Sequence, residues 1–128
     1  MKKTLFVILC TVFLVGCGGS GPIEIGDRNF GPQVFDMLTH PVRYDGREIA
    51  MVAIYSSTVG VPHAAFRLAE TCCPGDFKPL GFELIWDGDA PADYTWVRVI
   101  GVYRANRTVV VSAIETGVAP QNEVVRLF

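Results

Sequence analysis

The chain has 128 residues, with 11 basic side chains against 13 acidic ones and half of its residues hydrophobic. That length holds one domain with one core, and the acidic balance excludes a protein built to grip a phosphate backbone, so no nucleic-acid partner is expected. Four cysteines, of which Cys10 and Cys17 fall in or at the end of an N-terminal apolar run, are too few for a disulfide framework.

The chain opens with Lys2 and Lys3, followed by residues 5–15, which are apolar except for Thr11. This is the pattern of a signal peptide over residues 1–16, too short to remain as a membrane-spanning helix. Its end, Leu14-Val15-Gly16-Cys17, resembles the lipobox of bacterial lipoproteins. The resemblance implies that Cys17 is lipidated on sulfur, that the preceding segment is cut away, and that the new amine is acylated. It implies an exported protein tethered to the cell membrane or outer membrane, facing the periplasm or exterior. Gly18 in place of an Asp after the lipid-bearing residue favours outer-membrane sorting where the envelope has two membranes. The mature chain would carry nine basic against 13 acidic residues. Such a surface adds no polybasic attraction to anionic lipid, so the acyl chains carry attachment.

Residues 17–29 read as the lipid-bearing Cys and a flexible tether, with Gly18-Gly19-Ser20-Gly21-Pro22 reaching about 12 Å. Its glycines do not make a phosphate loop, because no strand precedes them and no helix follows. Residues 30–39 predict one short helix, with Val34, Phe35 and Leu38 on one face, Asn29 as cap and Pro41 as stop. Strands follow at 47–58, 64–72, 80–86, 94–103 and 108–115, rich in β-branched and aromatic residues. Turn chemistry separates them at Gly60 to Pro62, Pro74-Gly75, Asp87 to Pro91 and Ala105 to Arg107. The pattern predicts a mainly β domain over 30–120, a small five-stranded OB-like barrel preceded by one short α-helix, with a tail at 121–128. Up-and-down pairing is the simplest order for these strands, and Gly101 marks a bend or bulge.

Several elements carry a more specific resemblance: Asp45 to Ile49, Arg67 with Cys72-Cys73-Pro74-Gly75-Asp76, Pro79 to Phe82, and Thr95 to Val99 with Gly101. Together they are similar to the C-terminal, OB-like domain of the putative two-component membrane permease complex subunit family. That family carries membrane helices where this chain has a lipid anchor. The resemblance implies an OB-like fold and a partner in the cell envelope.

The chemically unusual element is Cys72-Cys73-Pro74-Gly75-Asp76. Pro and Gly at the two central positions suit a type II turn, which brings residues 73 and 76 within about 7 Å. Up-and-down pairing would place His40 and Asp45 near the same pole, while His63, about 30 Å away along its strand, would be remote. Cys72, Cys73, Asp76 and His40 are therefore the candidate site, suited to zinc or another thiophilic metal. A vicinal disulfide and a pair of inert buried thiols are the other readings of the cysteines. Asp87, Asp89 and Asp93 do not fit a calcium loop, since Pro91 and Ala92 stand where a ligand and a glycine are required. Trp86, Tyr94 and Trp96 read as core or rim packing. Arg67 and Glu70, on one strand, read as a structural ion pair. With no hydrolytic motif, the expectation is a module that binds a metal ion or an envelope partner protein. Thiol redox through the cysteine pair and a purely structural adaptor are the alternatives.

Overall fold

Along Trp96–Tyr103 half-buried and fully buried residues alternate at every position, the signature of a strand with one face on a core. The computed structural model describes residues 21–127; the signal segment, Cys17 and the first tether residues lie outside the described residues. Nine elements follow in order: β1 (Ile23–Ile25), α1 (Phe30–Thr39), α2 (Pro41–Tyr44), β2 (Glu48–Ser56), β3 (Ala64–Glu70), β4 (Phe77–Ile85), β5 (Trp96–Tyr103), β6 (Thr108–Glu115) and β7 (Val124–Arg126). The fold is mainly β: β2 to β6 close into a five-stranded OB-like barrel, and β1 and β7 are additions to it.

The strands are those expected, but their pairing is not up-and-down. β2 pairs antiparallel with β5 over Glu48↔Val102 to Ile54↔Trp96, and β4 pairs parallel with β6 over Glu83↔Thr108 to Ile85↔Val110. The reason lies in the link 86–95. Its ten residues exceed a hairpin turn, so they carry the chain across the barrel end instead of returning it beside β4. β2 and β3 meet only at Ile54–Ser56 against Ala64–Phe66 and then part. The edges exposed by that parting are paired by β1, parallel to β2, and by β7, parallel to β3. Both lie in segments that read as tether and tail, because three residues carry no readable periodicity.

The strands are staggered, Thr108 at the start of β6 lying level with Glu83 near the end of β4, but by chain direction β2, β4 and β6 begin, and β3 and β5 end, toward one pole of the barrel. This lower end carries α2, the 71–76 turn and the 104–107 turn. The loops 57–63 and 86–95 form the upper end. α1 lies across the lower end, where Tyr103 Oη donates to the Met37 carbonyl at 2.7 Å and Arg107 Nε to the Leu38 carbonyl at 2.9 Å. Its bounds match the expectation, and its buried face matches in part: Val34 is buried and Leu38 packs against the core, but Phe35 does not. Phe30, Val34 and Met37 are fully buried, while Phe35 is 39% exposed. The helix is turned by its seat: a Cβ at Gly31 would collide with the Arg126 carbonyl, so that side lies flat on β7. Ile49, Met51 and Tyr55 of β2 fill the barrel with Phe82, Leu84, Val97, Val99 and Tyr103. Phe82 meets Tyr103 edge-on at 5.2 Å between ring centres. Between Ile100 and Gly101 the β5–β6 register shifts, and a Cβ at Gly101 would strike the Val110 carbonyl, so the bend expected there exists for lack of space.

Candidate functional site

β3 ends at Glu70, and the chain reverses through 71–76 before β4. The Asp76 amide donates to the Cys73 carbonyl at 3.1 Å, and Gly75 has φ of +81°, the left-handed position that a Pro-Gly turn requires. Thr71 closes the base of the turn: its amide donates to the Asp76 carbonyl at 3.0 Å and its hydroxyl to Asp76 Oδ2 at 2.7 Å. Above this base Cys72 and Cys73 are both exposed free thiols, with their sulfurs 3.1 Å apart. The hydrogen bond to Cys72, aided by slight burial, holds the Cys73 thiol above its ordinary pKa. Two thiols in contact on a rigid turn can close an Sγ–Sγ bond or clasp one soft ligand between them.

The other two candidate ligands are engaged elsewhere. Asp76 gives Oδ2 to Thr71 and holds Lys78 Nζ 3.7 Å from Oδ1, so its carboxylate secures the turn. His40 shares the lower end, but its Nδ1 lies 3.0 Å from Asp36 Oδ1 and 3.2 Å from Thr39 Oγ1. It ends α1, its amide donating to the Asp36 carbonyl at 2.8 Å. Asp36 also accepts a short hydrogen bond from Tyr44 Oη and lies 3.5 Å from Arg43 Nη1. The Tyr44 hydrogen bond, opposed by partial desolvation and helped by His40 and Arg43, depresses the Asp36 pKa. Among the described residues no three His, Cys, Asp or Glu side chains gather as a metal-holding group. The two thiols come together; Asp76 and His40 do not join them.

His63 stands at the upper end, as its place in the strand implied, with Nδ1 2.5 Å from Tyr55 Oη. Burial, and to a lesser extent the nearby Asp93 charge, raises the Tyr55 pKa. Asp93 is a loop clasp: its Oδ1 accepts from the Ser57 amide at 2.6 Å and hydroxyl at 2.8 Å, joining loops 57–63 and 86–95. Between loop 57–63 and strands β3 and β4 lies an open, mostly apolar cavity of ≈ 230 Å³ lined by Val59, Ala64, Ala65, Phe66, Pro79, Gly81 and Phe82. Gly81 is one of its lining residues, and a Cβ there would collide with the Ala65 carbonyl and Phe66 Cα. Sequence reading missed this cavity, although a glycine between Leu80 and Phe82 within a strand was a signal of close backbone approach. Comparison with protein-family models, curated proteins and solved structures gave no match.

Proposed function

We propose that the chain is a lipid-anchored, extracytoplasmic OB-like binding module whose partner is a protein of the cell envelope. The observation that carries this reading is the cavity on the wall of β3 and β4. These are the second and third strands of the barrel, and the cavity adjoins the loop between the first and second; OB-type barrels present ligands to that face and that loop. The argument is one of fold-level analogy. The lining is apolar, and the mature chain is acidic, so an apolar peptide segment suits it better than a nucleic acid. The family resemblance of the strands and the lipobox-like Cys17 support an envelope setting.

Two measurements test it. Cys17→Ser should release the processed protein from membranes after a salt wash, because no described helix is long and apolar enough to cross one. A photo-crosslinking side chain at position 59 should capture a discrete envelope protein that the same probe at position 112, away from the cavity, does not. Equal capture from both positions would sink the proposal.

A second reading rests on the 3.1 Å sulfur contact. Cys72 and Cys73 would lose two electrons and two protons to a disulfide-bearing oxidoreductase, forming one Sγ–Sγ bond and leaving the oxidant as a dithiol. Mass spectrometry after alkylation of the native protein, with and without reductant, reads that state directly. As a metal site the pair supplies two thiolates where a closed zinc site takes four ligands, so zinc titration of the reduced protein should show weak, pH-dependent binding at most.

A further inference from the structure

The two thiols of the 71–76 turn are a preset pair with an open third side. Pro74 and Gly75, the latter at φ of +81°, bend the chain, and the Asp76 amide closes the turn on the Cys73 carbonyl at 3.1 Å. At its base the Thr71 hydroxyl and amide hold the carboxylate and the carbonyl of Asp76. Cys72 Sγ and Cys73 Sγ therefore meet at 3.1 Å on a backbone that is already fixed. Both are exposed, so a ligand reaches them without any opening of the barrel. Among the described residues no third His, Cys, Asp or Glu side chain gathers with them. His40 is held by Asp36 and Thr39, and Asp76 by Thr71 and Lys78.

The sulfur separation selects among soft ligands. With bonds to sulfur of about 2.3 Å, sulfurs 3.1 Å apart enclose an angle of about 85° at an atom between them. A linear two-coordinate ion needs its sulfurs about 4.6 Å apart, a span that the small chelate ring of adjacent cysteines resists. Tetrahedral zinc needs about 3.8 Å and two further ligands, which this turn does not bring. An angle near a right angle belongs to trivalent arsenic, which bonds through its p orbitals and keeps a lone pair. Such a centre takes three bonds, two from the thiols and one from a hydroxyl or organic group on the open side. The hydrogen bond to Cys72, aided by slight burial, favours the protonated form of Cys73, and an exchange that releases water uses that proton.

We propose that Cys72 and Cys73 form a bidentate site for a trivalent arsenical, an uncharged oxyacid of the arsenous acid type. Two S–H bonds and two As–OH bonds break, two As–S bonds form, and the two protons leave with the two hydroxides as water. No electron is transferred, and the third hydroxyl stays on arsenic, facing solvent. The inference is independent of the partner reading of the cavity, and it takes the cysteines as the dithiol from which the redox reading starts.

The full protein would be reduced, freed of reductant without air, and titrated separately with arsenite, phenylarsine oxide, dimethylarsinous acid and zinc. Intact-mass spectrometry and near-ultraviolet absorption of the arsenic–sulfur bonds are the readouts. One arsenic per chain is expected from arsenite and from phenylarsine oxide, each of which offers two exchangeable positions. Dimethylarsinous acid, with one such position, should bind the parent chain no tighter than it binds Cys73→Ser. Cys72→Ser and Cys73→Ser should each lower arsenite affinity roughly 100- to 10,000-fold, because the second bond is then no longer intramolecular. His40→Ala should leave it unchanged. No arsenic on the reduced chain, arsenite retained by either Cys variant, or zinc bound more tightly than arsenite overturns the site. Alkylation of the same sample before reduction reads the redox state separately, so the failure of either reading shows on its own.

Discussion

Arg67 is the residue on which the seam between β2 and β3 turns. It is fully buried, with Nη1 2.7 Å from Asp27 Oδ1, Nη2 donating to the Asn122 carbonyl, and its guanidinium between the rings of Phe30 at 5.1 Å and Trp96 at 5.3 Å. Asp27 Oδ2 in turn accepts the amides of Gln121 at 2.8 Å and Asn122 at 2.9 Å, so one ion pair ties the end of β1 to the approach to β7. Removing one partner of a buried pair strands the other, and Arg67→Ala is expected to cost about 3–5 kcal/mol in a denaturant melt. Arg67→Met combined with Asp27→Asn should cost much less, since neither charge is then left alone and Arg67 Nε has no partner to lose. Burial pushes the Asp27 carboxyl up, but the Arg67 hydrogen bond, the Asn122 amide, the Arg67 charge and the Gln121 amide together hold it below the usual range. A depressed carboxylate stabilises the fold fully above its unfolded pKa of about 4 and loses that contribution as pH falls through the folded value. Melts between neutral pH and the acid range should show a smaller loss in Asp27→Asn than in the parent chain, the remainder coming from the likewise depressed Asp36. The structure turns Arg67 inward with Ala65 and Ala69, against the more apolar Phe66 and Leu68 of the other face, and its partner lies 40 residues away, in a segment that read as tether. Glu70, the partner suggested by sequence proximity, stands on the opposite strand face.

At the scale of elements, α1 and β5 hold the lower end closed. Tyr103 reaches out of β5 to the Met37 carbonyl, and its burial, partly offset by Arg107, raises its pKa. Tyr103→Phe keeps the ring and loses one buried hydrogen bond, so it should cost about 1–2 kcal/mol. Gly101→Val adds a branched side chain where the Val110 carbonyl leaves no room, and should cost more, about 2–4 kcal/mol, as chain shift and strain add. Denaturant melts of the two variants in that order support the barrel register; the reverse order contradicts it. The helix and the five wall strands were legible because each is long enough for its apolar period to repeat. The helix face was legible only in part: Val34 and Leu38 do face the core, but the close seat of Gly31 on β7 brings Phe30 and Met37 in and leaves Phe35 out.

Across the whole molecule the barrel is closed by contacts between segments distant in sequence, β2 with β5, β4 with β6 and β3 with β7. Such topology makes loop closure precede its reward, so refolding should take milliseconds to seconds, as in other small barrels, rather than microseconds. Stopped-flow refolding finished within the dead time would contradict that.

The sequence alone determined the mainly β class, the helix bounds, the wall strands, the glycine bend at Gly101 and the Pro-Gly turn under the two cysteines. Each is a local matter of side-chain period, steric room or turn dihedrals, set within a dozen residues. The tertiary structure decided the order of the strands, the use of tether and tail as β1 and β7, and the pairing of Arg67 with Asp27. It also decided that Asp76 and His40 serve Thr71 and Asp36 rather than the thiols, and that an apolar cavity opens beside Gly81. Those outcomes depend on which distant edges and charges meet when the barrel closes, and that is set by the closure of the ring and not by any one segment.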